Sequence, residues 1–326
     1  MRRLTAGAER WPIAGAFTTA RGAKTEAQVV VAEIREGAAV GRGECTPYPR
    51  YGESPDSVLQ QIESLRVDLE RGGGREVLAA RLPSGAARNA LDCALWDLEA
   101  KLCGRRVHER LGLARLDPVK TCYTLSLAAP EAMAEAARTN ARRPMLKLKI
   151  GGPDDLAAVE AVRAAAPKTR LIVDANEGLS FDDLKRLALE FARLGIKLIE
   201  QPLKAGEDEP LAGWSSPVPL CADESCHTRA DLAVCASRYQ AVNLKLDKAG
   251  GLTEAVAMVG QARDLGLELM IGCMVATSLA MAPALILAQG ADFVDLDGPL
   301  LLARDREPGL AYTGSMIAPP DPALWG

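Results

Sequence analysis

The sequence predicts an α/β fold in which a modified TIM barrel of the (β/α)7β type follows a smaller N-terminal α+β domain. Beyond Pro118, short apolar runs alternate with amphipathic, Ala-rich helical stretches, which is typical of βα units on a parallel sheet. The polar residues that close consecutive runs from Lys149 to Lys245 are separated by 25, 26, 23 and 22 residues. Such a period indicates a TIM-type barrel, whose functional groups lie at the C-terminal ends of its strands.

The N-terminal domain, residues 1–117, combines β-structure with helices. The stretch from Leu4 to Gly37 is predicted as β-structure because residues 28–32 are rich in β-branched side chains. A helical region follows, in which residues 57–71 and 86–102 carry apolar side chains at helical spacing. This order of elements predicts a small α+β domain.

The barrel domain, residues 118–303, contains eight candidate strands. They are Val119 to Thr124, Met145 to Ile150, Leu171 to Asp174, Lys197 to Glu200, Val218 to Asp223, Ala241 to Leu246, Glu268 to Ile271, and Phe293 to Leu296. Gly298-Pro299 follows the last of them directly and leaves no room for an eighth helix. The tail, residues 304–326, is predicted to return to the first domain.

Composition narrows the range of partners. The chain has 326 residues, 48% of them hydrophobic, and a formal net charge of -4 with no long basic run. We therefore expect a small-molecule partner and no nucleic acid. No segment reaches the roughly 18 apolar residues of a membrane span, and no signal-peptide core follows the N-terminal arginines, which predicts a cytoplasmic protein without a membrane partner. Helix-covered barrels commonly associate, so a homo-oligomer is one option.

The cysteines and histidines exclude several kinds of site. Eight cysteines without a Cys-x-x-Cys pair indicate buried free thiols rather than a disulfide framework or a zinc site. The two histidines, His108 and His227, have no second histidine at ligand spacing. A His-based triad or a His-rich metal site is therefore not expected.

Three acidic residues end consecutive strands of the predicted barrel. Asp174, Glu200 and Asp223 close strands three, four and five. One such acid alone is more often a strand-terminal cap, but three at one rim would repel each other unless a cation lay among them. Oxygen ligands without His or Cys favour a hard ion, which predicts Mg²⁺.

Three lysines accompany these acids. Lys147 and Lys149 alternate with apolar residues in strand two and therefore point to the same side, which is the barrel interior. We expect the two charges to lower each other's pKa toward the range of a general base. Lys245 ends strand six, opposite strand two, so Lys149 and Lys245 would face each other across the mouth. A carbon acid between them could lose a proton to one and regain a proton from the other. The alternative for Lys245 is an ion pair with Asp247 at the rim.

Asp295 and Asp297 add two carboxylates at the end of strand eight, expected across the mouth from the metal ligands. A ligand with its carboxylate on the metal and its ammonium on this pair would span the mouth. A dipeptide has that length, whereas a single amino acid is too short. One aspartate capping the next element is the alternative.

Four motifs resemble those of a known family. They are Gly43–Ser54, Ala86–Asp97, Cys221–Arg229 and Asp295–Pro299. With the residues above, they are similar to the L-Ala-D/L-Glu epimerases in the muconate-lactonizing subgroup of the enolase superfamily. The resemblance covers the whole chain and implies a capping domain on a (β/α)7β barrel, epimerisation of an acidic dipeptide and a role in murein peptide recycling.

The resemblance also implies a role for each site residue. Asp174, Glu200 and Asp223 would bind Mg²⁺, and Lys149 and Lys245 would be the acid/base catalysts. Lys147 would contact the substrate carboxylate, and the remaining substrate contacts would come from Thr124, Cys273, Asp295 and Asp297. Loops near residues 21–24 and 48–51 would close over the mouth, with Lys24 meeting the acidic side chain of the substrate. An exposed loop lysine without that role is the alternative.

Other functions are compatible with parts of this pattern. Three other enzymes of the same subgroup would share the lysines and the metal site: an N-acylamino acid racemase, an o-succinylbenzoate synthase or a cycloisomerase. Their substrates have no ammonium group for Asp295 and Asp297 to bind. A catalytically silent barrel, kept as a metal-binding or structural scaffold, would not need both Lys149 and Lys245.

Overall fold

The computed structural model describes residues 2–326 and contains an antiparallel sheet followed by a parallel barrel. The N-terminal part, which we call the cap, comprises the elements from Arg2 to Arg110. Its strands are β1 (Arg2–Thr19), β2 (Gly22–Glu36) and β3 (Ala39–Cys45). Its helices are α1 (Pro55–Ser64), α2 (Arg66–Glu70), α3 (Arg75–Arg81), α4 (Ala86–Cys103) and α5 (Val107–Arg110). The predicted α+β character of this part is confirmed.

The third cap strand is absent from the sequence-based prediction, which has only helices after Gly37. Two glycines in β3 reduce its strand propensity, yet both are needed for close packing. A Cβ on Gly41 would lie 2.1 Å from Ala94 O, and one on Gly43 would lie 2.1 Å from Ala90 O. The backbone of β3 therefore lies directly against helix α4.

The predicted helix over residues 57–71 is divided in two. The first part, α1, begins at Pro55 because the side chain of Ser54 accepts a hydrogen bond from Ser57 N and caps it. The chain leaves helical geometry at Leu65, and α2 follows. The predicted helix over residues 86–102 is confirmed as α4, which ends where Gly104 takes a φ of 66°.

Eight parallel strands form the barrel sheet and neighbour one another in chain order. They are β5 (Tyr123–Leu125), β6 (Met145–Lys149), β7 (Arg170–Asp174), β8 (Ile196–Glu200), β9 (Leu220–Ala222), β10 (Ala241–Leu244), β11 (Glu268–Gly272) and β12 (Phe293–Asp295). Cys122 N donates to Val294 O at 2.8 Å and joins the first strand to the last. The predicted TIM-type barrel is confirmed.

The predicted start of the first barrel strand is wrong. Val119–Lys120 forms β4, which pairs antiparallel with β14 (Met316–Ile317), the partner of β13 (Tyr312–Thr313). The chain changes partners at Thr121, whose amide donates to Ser315 O. One continuous β-forming run therefore serves two sheets, which its composition does not reveal.

Helices follow the barrel strands. They are α6 (Pro130–Asn140), α7 (Leu156–Ala165), α8 (Phe181–Arg193), α9 (Leu232–Ala236), α10 (Leu246–Ala249), α11 (Leu252–Asp264), α12 (Ser278–Leu287) and α13 (Gly298–Leu301). Between β8 and β9 there is only a 3₁₀ turn, Glu209–Leu211. After β12 there is only the four-residue α13, as the Gly298-Pro299 pair indicates. None of the helices in residues 2–326 is long and apolar enough to cross a bilayer.

The C-terminal residues pack against the cap. Trp325 is 1% exposed, and its Nε1 donates to Cys93 O at 3.1 Å. Gly326 N donates to Asp97 Oδ1 at 2.8 Å. Both partners lie on α4, so this helix contacts the chain terminus as well as the cap sheet.

Candidate active site

Three acidic side chains lie side by side at the C-terminal edge of the barrel sheet. Asp174 ends β7, Glu200 ends β8, and Asp223 directly follows β9. The parallel register aligns Asp174 with Glu200, and Glu200 with Cys221. Each of the three acids is at most 1% exposed. We call them the strand-end acids; the structure brings them together as their spacing predicts.

Two lysines contact this row of acids from its two ends. Lys149 ends β6, and its Nζ donates to Asp174 Oδ2 at 2.5 Å. Lys245 directly follows β10, and its Nζ donates to Asp223 Oδ2 at 2.6 Å. Since the strands are ordered β6-β7-β8-β9-β10, the two ammonium groups flank the strand-end acids on opposite sides. A two-base inversion at a carbon atom uses proton-transfer groups on opposite sides.

Lys147 lies among carboxylates. Its Nζ is 3.0 Å from Asp174 Oδ2, 2.6 Å from Glu200 Oε2 and 2.7 Å from Asp295 Oδ2. The side chain is 1% exposed. Its predicted contact with a substrate carboxylate stays a prediction, whereas in this structure its single positive charge is shared among three carboxylates.

The expectation that neighbouring lysines lower each other's pKa is wrong for Lys147. Burial lowers its pKa, but the charge of Asp174 and then those of the other facing carboxylates raise it well above the ordinary value. The pKa of Lys245 is likewise lowered by burial and raised further by Asp223, so that it ends well above the ordinary value. The acids that face these lysines, and not the repulsion between the lysines, decide the direction of the shift.

The strand-end acids offer oxygen atoms only, which suits a hard divalent cation. Burial and then the charge of Asp174 raise the pKa of Glu200 to about 7, because adjacent carboxylates disfavour each other's charge. Glu200 Oε2 and Asp223 Oδ1 are buried, and each lies against an ammonium group, that of Lys147 at 2.6 Å and that of Lys248 at 2.7 Å. Within residues 2–326, no three His, Cys, Asp or Glu side chains already converge on an ion position. Lys147 lies between two of the acids. The donor set fits Mg²⁺, and binding it would require Lys147 to give up part of these contacts.

Asp295 and Asp297 lie at the end of β12 and face the same interior. The expectation that they lie apart from the strand-end acids is wrong for Asp295, which shares the ammonium of Lys147 with them. Thr124 N donates to Asp297 Oδ2 at 2.6 Å. Burial and then the charge of Asp295 raise the pKa of Asp297 to about 7. A cationic ligand group would favour the charged form of this pair.

A cavity of about 530 Å³ connects these groups to the cap. The barrel side is lined by Thr124, Lys147, Lys149, Asp223, Lys245, Cys273, Asp295 and Asp297. The cap side includes both predicted closing segments, with Arg21 and Lys24 from one and Tyr48 and Tyr51 from the other. Its volume is in the range of small-molecule sites.

Lys24 lies on the cap wall of this cavity. Its ammonium is 5.1 Å from the centroid of the Tyr48 ring and forms no ion pair with a carboxylate of the described chain. Partial burial at the cavity mouth, followed by the charge of Arg21, lowers the pKa of Lys24. The cavity therefore has a cation without a counter-ion at its cap side.

Arg21 links the cap to the barrel through ion pairs, a role that was not predicted from the sequence. Its Nη2 lies 2.7 Å from Glu177 Oε2 and 2.5 Å from Glu224 Oε1. Arg50, from the second closing segment, is 2.8 Å from Glu177 Oε1. Glu224 directly follows Asp223, so the ion pairs reach the edge of the strand-end acids. The position of Glu224 in the Cys221–Arg229 motif is the one sequence signal that could have indicated it.

The turn after Lys245 is held by the cap. Asp247 Oδ1 accepts hydrogen bonds from Thr46 N at 3.0 Å and Asn89 Nδ2 at 2.8 Å. A Cβ on Gly250 would lie 2.3 Å from Arg88 Nε, and one on Gly251 would lie 2.5 Å from Asp92 Cβ. Helix α4 thus packs directly on this turn, which explains the spacing of polar residues in the Ala86–Asp97 motif.

We expect stability to depend on pH through Asp247. Burial raises its pKa from 3.8 to about 7. The stabilisation from the bound proton is complete below the unfolded value and is lost as pH rises to about 7. Between about pH 5 and pH 8, the free energy of unfolding of wild type should fall relative to that of Asp247→Asn, which cannot ionise, by roughly 1–4 kcal/mol. Urea denaturation of both proteins at each pH measures this difference; parallel pH profiles would contradict the assignment.

Two family models match most of the chain. The enolase C-terminal domain-like model matches residues 131–321. The mandelate racemase/muconate lactonizing enzyme N-terminal domain model matches residues 1–112. The L-Ala-D/L-Glu epimerase of Escherichia coli is 46% identical over 315 residues, which are 96% of this chain and 98% of the relative. An N-acetyl-D-glutamate racemase of a Pseudoalteromonas species is 45% identical, with 91% of this chain and 95% of the relative covered.

Solved structures agree with these matches. An enolase family member from Agrobacterium tumefaciens with homology to dipeptide epimerases, solved with sodium and L-Ala-L-Glu, superposes with a TM-score of 0.98 at 53% identity and 100% coverage of both chains. An Enterococcus faecalis dipeptide epimerase complexed with Mg and L-Leu-L-Tyr has a TM-score of 0.90 at 27% identity, covering 98% of this chain and 97% of that one. The chain therefore belongs to the dipeptide epimerases, isomerases of the mandelate racemase/muconate lactonizing enzyme group in the enolase superfamily.

Proposed function

We propose that this chain is a Mg²⁺-dependent epimerase that interconverts L-Ala-D-Glu and L-Ala-L-Glu. The observation that carries the proposal is the position of Lys149 and Lys245 on opposite flanks of the strand-end acids, within one cavity. The L-Ala-D/L-Glu epimerase at 46% identity and the relative that holds L-Ala-L-Glu support the substrate. The dipeptide epimerase complexed with Mg supports the ion.

The two lysines would move the α-proton of the C-terminal residue. One amine accepts the proton on one face of the carbon, and the opposite ammonium returns a proton on the other face, which inverts the centre. In the reverse direction Lys149 and Lys245 exchange these roles. Asp174, Glu200 and Asp223 would hold Mg²⁺, which when bound would stabilise the charge that builds on the substrate carboxylate.

The other residues would bind the two ends of the dipeptide. Asp295 and Asp297 would accept the ammonium group, beside Thr124 and Cys273. Lys147 would contact the substrate carboxylate when its contacts with the acids are rearranged. Lys24, which has no counter-ion at the cap side, would pair with the acidic side chain.

The direct test follows hydrogen exchange at carbon. In D₂O with Mg²⁺, the chain should incorporate deuterium at the α-position of the C-terminal residue of L-Ala-L-Glu while L-Ala-D-Glu accumulates. A dipeptide library in the same assay measures preference. Absence of exchange from every acidic dipeptide would refute the proposal.

The N-acetyl-D-glutamate racemase relative favours N-acylated glutamate as the second candidate substrate. Asp297→Asn separates the two candidates because an N-acylated substrate has no ammonium group. We expect kcat/KM for L-Ala-L-Glu to fall about 10- to 100-fold, the effect of losing a hydrogen bond to a charged group. Racemisation of N-acetylglutamate should not fall. Asp182→Asn, at a side chain 91% exposed, is the control. An unchanged kcat/KM for L-Ala-L-Glu in Asp297→Asn, together with faster turnover of N-acetylglutamate than of the dipeptide by wild type, would favour the racemase; the same comparison applies to o-succinylbenzoate synthase and cycloisomerase substrates.

Lys24 should determine the preference for an acidic side chain. In Lys24→Met we expect kcat/KM for L-Ala-L-Glu to fall about 10-fold or more, because an ion pair at the cavity mouth is lost, while L-Ala-L-Met is epimerised as before. Lys204→Met, at an exposed lysine outside the cavity, should leave both values unchanged. Equal losses for the two dipeptides would show that Lys24 does not select the side chain.

A role in murein peptide recycling would follow from this substrate. Disruption of the gene should then cause L-Ala-D-Glu to accumulate in cell extracts, whereas normal dipeptide levels would argue against that role.

A further inference from the structure

Lys248 is a buried lysine beside the strand-end acids with no part in the proton transfer described above. Its side chain is 1% exposed, and it does not line the cavity in the part of the chain that the structure describes. Its Nζ donates hydrogen bonds to Asp223 O, to Cys226 O at 2.8 Å and to Asn243 O at 2.9 Å. An ammonium group has three hydrogens, so all of its donors are used on main-chain carbonyl oxygens.

The carboxylate of Asp223 lies against this ammonium. Lys248 Nζ is 2.7 Å from Asp223 Oδ1, which is the distance of a close ion pair. The other oxygen, Oδ2, accepts from Lys245 Nζ at 2.6 Å. Lys248 therefore fixes the orientation of the Asp223 carboxylate by charge, and Oδ1, which has more than one lone pair, can still bind a ligand.

Asp223 needs such a contact because the sheet does not hold it. Asp174 and Glu200 are strand residues paired with each other in the barrel sheet. Asp223 lies beyond β9, a strand of three residues. Its amide donates to Gln201 Oε1 at 2.8 Å, and its carbonyl accepts from Lys248. Two side chains and the amide of Cys226, rather than strand pairing, thus hold the peptide groups on both sides of Asp223.

The backbone of Lys248 is itself held in place. It belongs to α10, the turn that the cap holds through Asp247 and the two glycines that follow. Its three carbonyl partners belong to β10 and to the segment from Asp223 to Cys226, so one ammonium joins the ends of strands five and six of the barrel.

We propose that Lys248 is a positioning residue for the cation site: it holds Asp223 in the orientation in which Oδ1 can bind the ion. This inference rests on the proposed function, because it takes the strand-end acids to be the ligands of Mg²⁺. Residues that orient metal ligands commonly contribute about 10- to 100-fold to metal affinity.

The sign of the effect distinguishes positioning from charge. If Lys248 acted on the site by its charge alone, its removal would tighten binding of a divalent cation, since a positive charge is lost 2.7 Å from a ligand oxygen. If Lys248 orients Asp223, its removal weakens binding despite that loss of repulsion.

The experiment measures Mg²⁺ and Mn²⁺ affinity by calorimetry on purified, chelator-treated full-length protein. We expect Lys248→Met to bind about 10- to 100-fold more weakly than wild type. Lys101→Met is the matched control, because Lys101 is a half-buried cap lysine that pairs with the buried Asp97 at 2.8 Å. It should lose thermal stability and keep wild-type affinity. If Lys248→Met does not fold, Lys248→Gln, which retains two N–H donors, gives the same comparison.

The outcomes separate this inference from the proposed function. Wild-type protein that binds neither ion would refute the metal site, and this inference with it. Wild-type protein that binds the ions, together with unchanged or tighter binding by the folded Lys248 variant, would overturn the positioning role alone.

Discussion

Replacement of either Lys149 or Lys245 by alanine is expected to abolish epimerisation of L-Ala-L-Glu. Each lysine would serve one face of the α-carbon, so neither can take over the other's proton transfer. General acid–base groups typically contribute about 10²- to 10⁴-fold to rate, which sets the expected loss in kcat. The measurement is the appearance of L-Ala-D-Glu, followed by chiral chromatography.

Deuterium exchange adds information on each lysine. A single variant that retains one working base should still exchange the α-proton of one stereoisomer in D₂O without inverting it. Lys185→Ala, at a lysine on the outside of the barrel that is 46% exposed, serves as the control and should epimerise normally. Normal epimerisation by both active-site variants would exclude the two-base mechanism.

Removal of divalent cations is expected to have a similarly large effect. Deprotonation beside a carboxylate concentrates negative charge, and a bound divalent ion supplies several kcal/mol of stabilisation, so chelation should reduce kcat by about 10³-fold or more. Added Mg²⁺ should restore activity and raise the temperature of unfolding, because the ion binds the native state. Calorimetry and the exchange assay measure the two effects.

A variant of the central acid tests where the ion binds. Glu200→Gln keeps the side-chain volume and removes one charge from the strand-end acids, so it should require far more Mg²⁺ for activity. Glu190→Gln, on the outer face of α8 at a side chain 39% exposed, should respond to Mg²⁺ as wild type does. Full activity of chelator-treated protein, or an unchanged Mg²⁺ requirement in Glu200→Gln, would place the ion elsewhere or exclude it.

The barrel and its row of acids were predictable because the polar residues at the strand ends recur in the sequence at a nearly constant spacing. Strand-end polar residues such as Asp174 and Glu200 recur with each βα unit, and parallel strands bring their ends to one edge. The alternation in strand two likewise predicts that Lys147 and Lys149 share the interior. These inferences need only local periodicity and the geometry of a parallel sheet.

Features that depend on distant partners were not predictable in this way. Arg21 pairs with Glu177 and Glu224 across 156 and 203 positions, and one-dimensional patterns do not identify such partners. The cap strand β3 was missed because its glycines, needed for contact with α4, weaken the strand signal. The direction of the pKa shift of Lys147 was wrong because it depends on which charges come within 3.0 Å of the ammonium.

The contact between helix α4 and the turn after Lys245 makes the two parts of the chain interdependent. Gly250 and Gly251 leave no room for a side chain against Arg88 and Asp92, so a substitution on one surface demands a compensating one on the other. If the cap were exchanged between relatives, helix α4 and the turn after the sixth barrel strand would therefore have to be transferred together. Changes in substrate preference are easier at the cavity-lining residues of β1 and β2 and at Tyr48, which make none of the contacts with that turn described above.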